Sequence, residues 1–150
     1  RIRANPNFHP PGDARPLVLI GNGTGIAGLR ALLKARVAAG AARNWLLFGE
    51  RQRAHDAFFL DDLERWRRDG LLAQVDLVYS RDGGPHRHVQ DALRAQADLL
   101  RDWIDDGASV YVCGSLEGMA PGVDAVLREA LGADAVDRLR DAGRYRRDVY

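Results

Sequence analysis

Short apolar runs alternate along the chain with longer segments in which apolar residues recur every three or four positions. The apolar runs cover residues 17–20, 45–48, 75–79 and 110–113, and residues 144–150 form a fifth extended segment. Short continuous apolar runs of this kind are typical of buried strands in a parallel sheet. We therefore predict five strands.

The segments between the runs predict five helices. Their apolar positions share one helical face, and the segments cover residues 26–37, 59–66, 89–104, 119–131 and 136–139. Alternating strands and helices predict an α/β fold, a doubly wound, five-stranded parallel sheet of the Rossmann-like type with helices on both faces. Residues 1–15 are rich in Pro, Asn, His and Gly and predict an extended connector, which leaves residues 16–150 as one domain.

This topology also indicates where a ligand binds. In doubly wound sheets, ligands bind beyond the carboxyl ends of the strands, at the point where the strand order reverses. We therefore expect the loops after residues 20, 49, 80 and 113, together with the chain end, to form the site.

The first of these loops contains the segment GNGTGIAG at residues 21–28, with four glycines. Glycine lets the backbone approach a ligand closely, and the free N–H groups at the start of a helix attract phosphates. Thr24 can add a hydroxyl donor. The loop therefore predicts a site for the pyrophosphate of a dinucleotide, although a tight turn without a ligand fits the same residues.

Composition narrows the possible partners. The 150 residues are 46% hydrophobic and 29% charged with a net charge of +1, so we expect no nucleic acid and no membrane contact from this segment. The single cysteine, Cys113, excludes an internal disulfide and indicates a reducing compartment, so we expect a cytoplasmic location. Because the chain begins with Arg1, we expect it to be part of a longer protein, in which a membrane anchor elsewhere stays open.

Five motifs occur in one order: GNGTGIAGLR, FGER, SRD with HVQ eight residues on, YVCGSLEGMA and RYRRDVY. Together they resemble the NADP-binding domain of the ferredoxin–NADP reductase superfamily, most closely that of diflavin reductases such as the flavoprotein subunits of sulfite reductase. The resemblance covers essentially the whole chain. It implies an NADPH-dependent flavin oxidoreductase for electron transfer, with NADH possible, in which FAD is held mainly by a preceding domain that is absent here. It also implies a flavodoxin-like FMN domain or a haemoprotein as electron acceptor.

The resemblance implies cofactor-binding residues in the loops after residues 20, 80 and 113 and at the chain end. They are Gly21, Asn22, Gly23, Thr24, Gly25, Ser80, Arg81, His86, His88, Gln90, Gly114, Glu117, Met119 and Tyr150. Ser80 and Arg81 would bind the 2′-phosphate of NADPH, since an arginine fork suits a phosphate.

The segment at residues 86–90 departs from the family pattern. His86 and His88 stand where the family usually has lysine and tyrosine, so Arg87 can supply the missing cation and the preference for NADPH over NADH stays open. The two histidines also permit a metal site. No further cysteine or carboxylate stands at ligand spacing from them, so we predict no metal.

Three residues carry catalytic roles in the resemblance. Cys113 would lie beside the nicotinamide, Asp148 would help to position both, and Tyr150 would stack on the flavin ring until the nicotinamide displaces it. From spacing alone, Cys113 fits a small core residue equally well.

Two other functions stay open. In a self-contained NAD-dependent dehydrogenase, Gly23-x-Gly25-x-x-Gly28 would bind the dinucleotide and Glu50 the ribose. That glycine pattern begins two residues late, and no Tyr-x-x-x-Lys pair is present, because Lys34 is the only lysine. A non-catalytic nucleotide-binding module would use the same glycine loop.

Overall fold

The computed structural model describes residues 10–11, 15–50, 57–80 and 86–149, so most of the predicted connector lies outside the described residues. The strands are β1 (Leu17–Asn22), β2 (Asn44–Glu50), β3 (Gln74–Tyr79), β4 (Ser109–Gly114) and β5 (Tyr145–Val149). The helices are α1 (Ile26–Ala38), α2 (Ala57–Arg68), α3 (Val89–Ala95), α4 (Ala97–Asp105), α5 (Met119–Leu131) and α6 (Ala133–Asp141), and a short 3-10 helix (Gly23–Gly25) joins β1 to α1.

The five strands form one parallel sheet in the order β3-β2-β1-β4-β5. The chain starts at the central strand, moves outward to β3, and then crosses back to the other side of β1. The strand order therefore reverses between β1 and β4. This topology confirms the predicted doubly wound α/β fold.

Alternate residues of each strand face two separate cores. Val18 and Ile20 point to the side that α3, α4, α5 and α6 cover, whereas Leu17 and Leu19 point to the side that α1 and α2 cover. All four side chains are fully buried. Burial on both faces explains why the strands read as continuous apolar runs rather than as alternating ones.

Strand β1 runs two residues further than the predicted run, through Gly21 and Asn22. Gly21 pairs with both neighbouring strands, opposite Phe48 and Cys113. A Cβ atom on Gly21 would lie 2.5 Å from the Cys113 carbonyl oxygen and 2.5 Å from Leu29 Cδ1. Glycine at this position therefore lets α1 pack closely against the sheet.

The prediction of a single helix over residues 89–104 is wrong, because the structure has two helices that meet at Gln96. Gln96 leaves the helical region, with φ −115° and ψ 32°. Its side chain accepts a hydrogen bond from Gln74 Nε2 on β3 at 3.2 Å. No glycine or proline marks this break, and both Leu93 and Leu100 stay fully buried across it.

A partly buried hydrogen bond joins β5 to α5. The Tyr145 hydroxyl donates to Asp124 Oδ1 at 2.9 Å, and Arg128 Nε donates to Asp124 Oδ2 at 2.8 Å. Burial and the neighbouring Asp124 carboxylate both raise the pKa of Tyr145. Burial alone would raise the pKa of Asp124, but the hydrogen bonds from Arg128 and Tyr145 outweigh it and hold that pKa below its usual value.

Candidate functional site

A cleft of about 470 Å³ opens at the carboxyl edge of the sheet. It spans the reversal point between β1 and β4, where doubly wound sheets bind their ligands. The residues that line it are Asn22, Gly23, Gly49, Ser80, Arg87, His88, Val89, Gln90, Glu117, Gly118 and Met119. They come from the four loops that the strand pattern predicted.

Seven predicted cofactor-binding residues meet in this cleft: Asn22, Gly23, Ser80, His88, Gln90, Glu117 and Met119. Four further residues line it without having been predicted as ligands. The sequence predicts Arg87 only as a candidate cation. Gly49, Val89 and Gly118 have no feature in the sequence that indicates ligand binding, apart from their positions near strand ends. Arg81 and Tyr150 lie outside the described residues.

The turn after β1 has two glycines with different roles. Gly23 has a positive φ of 48°, and a Cβ atom built on it would meet nothing within 4 Å. A Cβ atom on Gly25 would lie 2.2 Å from the Cys113 carbonyl oxygen. Gly23 therefore leaves open space on the cleft side, whereas Gly25 allows the start of α1 to pack on β4. The side chain of Thr24 is outside what the structure describes.

The Asn22 side chain joins the loop after β1 to the loop after β4. The Ser115 N–H donates to Asn22 Oδ1 at 3.1 Å. Gly114, between Cys113 and Ser115, has φ 137°, and a Cβ atom on it would lie 2.4 Å from the same Asn22 oxygen. The two loops therefore interlock at the reversal point.

The β3 side of the cleft carries its positive charge. Ser80 is half-buried and Arg87 is exposed. Among the lining residues that the structure describes, Arg87 has the one permanent positive charge and Glu117, on the opposite wall, has the one negative charge. An anionic group bound in the cleft would therefore find a guanidinium among the lining residues.

The segment that enters α3 orders the same wall. The His88 N–H donates to Asp91 Oδ2 at 3.1 Å, which satisfies a free donor at the start of the helix. Gln90 lies against α5, since a Cβ atom on Gly122 would be 2.8 Å from Gln90 Nε2. His86 is half-buried but does not line the cleft.

Cys113 and Asp148 do not line the cleft. Cys113 is 1% exposed and packs in the core on the α1 side. Asp148 is 7% exposed and is the β5 register partner of Cys113, so both side chains point to the same face of the sheet. Their predicted catalytic roles stay predictions.

Two further findings concern only the described part of the chain. There, no group of three or more His, Cys, Asp or Glu residues is arranged to hold a metal ion. No helix in these segments is both long enough and apolar enough to cross a membrane.

Comparison with known proteins gives consistent matches. Residues 19–125 match the oxidoreductase NAD-binding domain family. The chain is 42% identical to the sulfite reductase (NADPH) flavoprotein alpha-component of Yersinia enterocolitica, 38% identical to that of Neisseria meningitidis and 40% identical to that of Salmonella typhi. Each alignment covers 99% of this chain and 27% of the relative, so the chain spans about a quarter of the length of these proteins. The resemblance inferred from the five motifs is confirmed.

Proposed function

The chain belongs to the oxidoreductase NAD-binding domain family, and on that basis we propose that it is the NADPH-binding module of a flavoprotein reductase. In this proposal it presents NADPH to an FAD that is held mainly by another domain of the longer protein. The relatives named above are NADPH-dependent flavoproteins and are about four times as long as this chain. The cleft at the strand-reversal point is the observation that carries the proposal, because it gathers predicted ligands from three of the four loops.

The residues of the cleft fit a dinucleotide. Gly23, Gly49 and Gly118 contribute no side chains to the lining, and a Cβ atom built on Gly23 or Gly118 would project into open space. A phosphate can therefore approach the backbone of these loops closely. Asn22 and Ser80 add polar side chains that can hydrogen-bond a phosphate or a ribose.

The adenosine half would lie over β2 and β3. Strands in a sheet are about 4.8 Å apart, so the end of β3 lies roughly 10 Å from the end of β1. A pyrophosphate bound at Gly23 would thus leave its ribose 2′-phosphate near Ser80 and Arg87. A charge-assisted hydrogen bond to a phosphate contributes roughly 1.5–3 kcal/mol, which corresponds to a preference of roughly 10- to 150-fold. We assign this preference to Arg87 together with Arg81.

The nicotinamide half would lie over β4, between Glu117 and Met119 on one side and the Cys113–Asp148 pair beneath. NADPH supplies a hydride when it is bound, and the chain's own residues orient the ring and exclude water. Strand β5 ends at Val149, opposite Gly114 of β4, so the chain reaches the same edge of the sheet one residue before Tyr150. Tyr150 would cover the flavin ring until the nicotinamide replaces it. The onward acceptor would be a flavodoxin-like FMN domain or a haemoprotein.

Calorimetric titration of the 150-residue chain with NADPH and with NADH tests the proposal. We expect the chain to bind NADPH, and to oxidise it little or not at all without added flavin. Arg81→Ala is expected to lower the affinity for NADPH while leaving that for NADH nearly unchanged. Failure to bind either nucleotide, or rapid NADPH oxidation without flavin, would contradict the proposal.

Glu50→Ala separates this proposal from a self-contained dehydrogenase. Glu50 is the last residue of β2, and its side chain is not described. If Glu50 held the ribose, the substitution would strongly lower the affinity for NADH. We expect little change.

A further inference from the structure

We propose that Asn22 is a positioning residue that sets the wall on which the nicotinamide half of the dinucleotide rests. The inference depends on the proposed function and adds to it a residue that holds one loop of the site against another. It also assigns the two ends of the Asn22 carboxamide to different partners.

The hydrogen bond from Ser115 continues the sheet where its backbone pairing stops. The register between β1 and β4 ends at the pair Gly21 and Cys113. One residue beyond Gly21 and two beyond Cys113, the Ser115 N–H donates to Asn22 Oδ1 at 3.1 Å, across 93 positions of sequence. The side chain of Asn22 thus holds the two strands together at the point where they would otherwise separate around a ligand.

The space above Gly114 is shaped for this carboxamide. A Cβ atom on Gly114 would lie 2.4 Å from Asn22 Oδ1 and 2.9 Å from the Asn22 carbonyl oxygen. Gly114 also has φ 137°, a conformation that residues with a side chain rarely adopt. Any other residue at 114 would therefore displace Asn22.

Met119, a residue of the cleft wall, also lies close to Gly114. Met119 Cε lies 3.1 Å from the position of a Gly114 Cβ atom, so the ends of Asn22 and Met119 both lie beside this glycine. Met119 is 4% exposed and lines the cleft together with Glu117. Releasing Ser115 from Asn22 would loosen the loop that carries both of these residues.

The hydrogen-bonding chemistry of the Asn22 carboxamide determines which of its two ends can contact a ligand. A backbone N–H can only donate, so the oxygen of the Asn22 carboxamide must face Ser115. Its Nδ2 group, with two donors, is then the end available to the cleft, which Asn22 lines. A donor is what a phosphate oxygen requires, so one side chain both holds the β4 loop and presents a hydrogen-bond donor beside Gly23.

The test compares two ligands on two variants. NADPH reaches across the whole cleft, whereas adenosine 2′-monophosphate occupies only the adenosine side. We expect Asn22→Ala to weaken NADPH binding roughly 2- to 12-fold, the equivalent of one neutral hydrogen bond, and to change the affinity for adenosine 2′-monophosphate by less than about twofold. Gln96→Ala, which removes a half-buried carboxamide contact to Gln74 outside the cleft, is the matched control and should change neither affinity.

Asn22→Asp separates the two ends of the side chain. Its carboxylate can still accept from Ser115 but places a negative oxygen where the donor was. Amide hydrogen exchange at Ser115 should therefore accelerate in Asn22→Ala and stay slow in Asn22→Asp. NADPH binding should be weaker in Asn22→Asp than in Asn22→Ala, because a carboxylate repels the pyrophosphate.

The outcomes are distinguishable. If wild-type protein bound neither ligand, the proposed function itself would fail. Equal losses for NADPH and adenosine 2′-monophosphate in Asn22→Ala would show a general effect on folding and overturn the positioning role. Unchanged NADPH affinity together with faster exchange at Ser115 would also overturn it.

Discussion

The most direct test of the interlocked loops is to add one methyl group at Gly25. A Cβ atom there would lie 2.2 Å from the Cys113 carbonyl oxygen, 2.6 Å from the Cys113 carbonyl carbon and 3.0 Å from Gly114 Cα. All three are main-chain atoms of β4, so no side-chain rotation can relieve the overlap. Gly25→Ala must therefore move the start of α1 away from the sheet or shift the end of β4.

The expected cost follows from the overlap. Forcing an extra methyl group into a well-packed region typically costs about 1–3 kcal/mol. For a domain of this size, each kcal/mol lowers the melting temperature by about 2–4 °C, so Gly25→Ala should melt about 2–12 °C below wild type. Because α1 begins at this turn, NADPH affinity should fall in the same variant.

Gly49→Ala is the matched control for stability. A Cβ atom on Gly49 would lie 3.6 Å from Val89 Cβ and 3.8 Å from Asn22 Cβ, both at ordinary contact distance. We expect its melting temperature to stay close to that of wild type. Thermal melting followed by circular dichroism makes the comparison. If Gly25→Ala melted at the same temperature as Gly49→Ala and wild type, the packing role of Gly25 would be refuted.

Two further predictions follow from charged groups. Arg87→Ala should weaken NADPH binding by roughly 10- to 150-fold and leave NADH binding within about twofold, as measured by calorimetry. The control, Arg94→Ala, removes the same charge from an ion pair with Glu129 and should change neither affinity. Equal losses for both nucleotides in Arg87→Ala would contradict the 2′-phosphate assignment. Folding lowers the pKa of Asp124, so the stability that Asp124 contributes is present above its usual pKa of 3.8 and is lost as the pH falls below that value. Folding raises the pKa of Tyr145, so the stability that Tyr145 contributes is complete below its usual pKa of 10.0 and is lost as the pH rises above that value. The free energy of unfolding can be measured with urea across a range of pH. Tyr145→Phe should be less stable than wild type at neutral pH but lose less stability in alkali, and Asp124→Asn should lose less stability in acid. Stability profiles that run parallel to wild type would contradict this assignment.

The strand pattern predicted the position of the site because parallel topology leaves few alternatives. Once residues 17–20 and 110–113 are buried parallel strands, their carboxyl ends must reach one edge of the sheet, and the loops that follow must meet there. Ser80 and Glu117 are 37 positions apart in the sequence and line one cleft for this reason. Local periodicity and chain order together carry this much information.

Contacts made only in the folded protein could not be predicted in the same way. Gln96 separates two helices without any breaker residue, and its side-chain partner, Gln74, is on a strand 22 positions earlier. Arg36 looks like a surface residue in an amphipathic helix, yet it is 1% exposed and donates to Asn44 Oδ1 at 2.9 Å and to the Arg15 carbonyl oxygen at 2.6 Å. Its acceptors come into place only when β2 and the segment before β1 pack together.

The glycines show how one residue type can serve two purposes that a motif does not separate. The motif at residues 21–28 suggests that each glycine makes room for phosphate. In the structure, Gly21 and Gly25 make room for the backbone of β4 instead, whereas Gly23 faces open space in the cleft. The nucleotide site is therefore shaped by how closely β1, α1 and β4 pack. A substitution that leaves the cleft lining untouched can still change nucleotide binding by moving these elements apart.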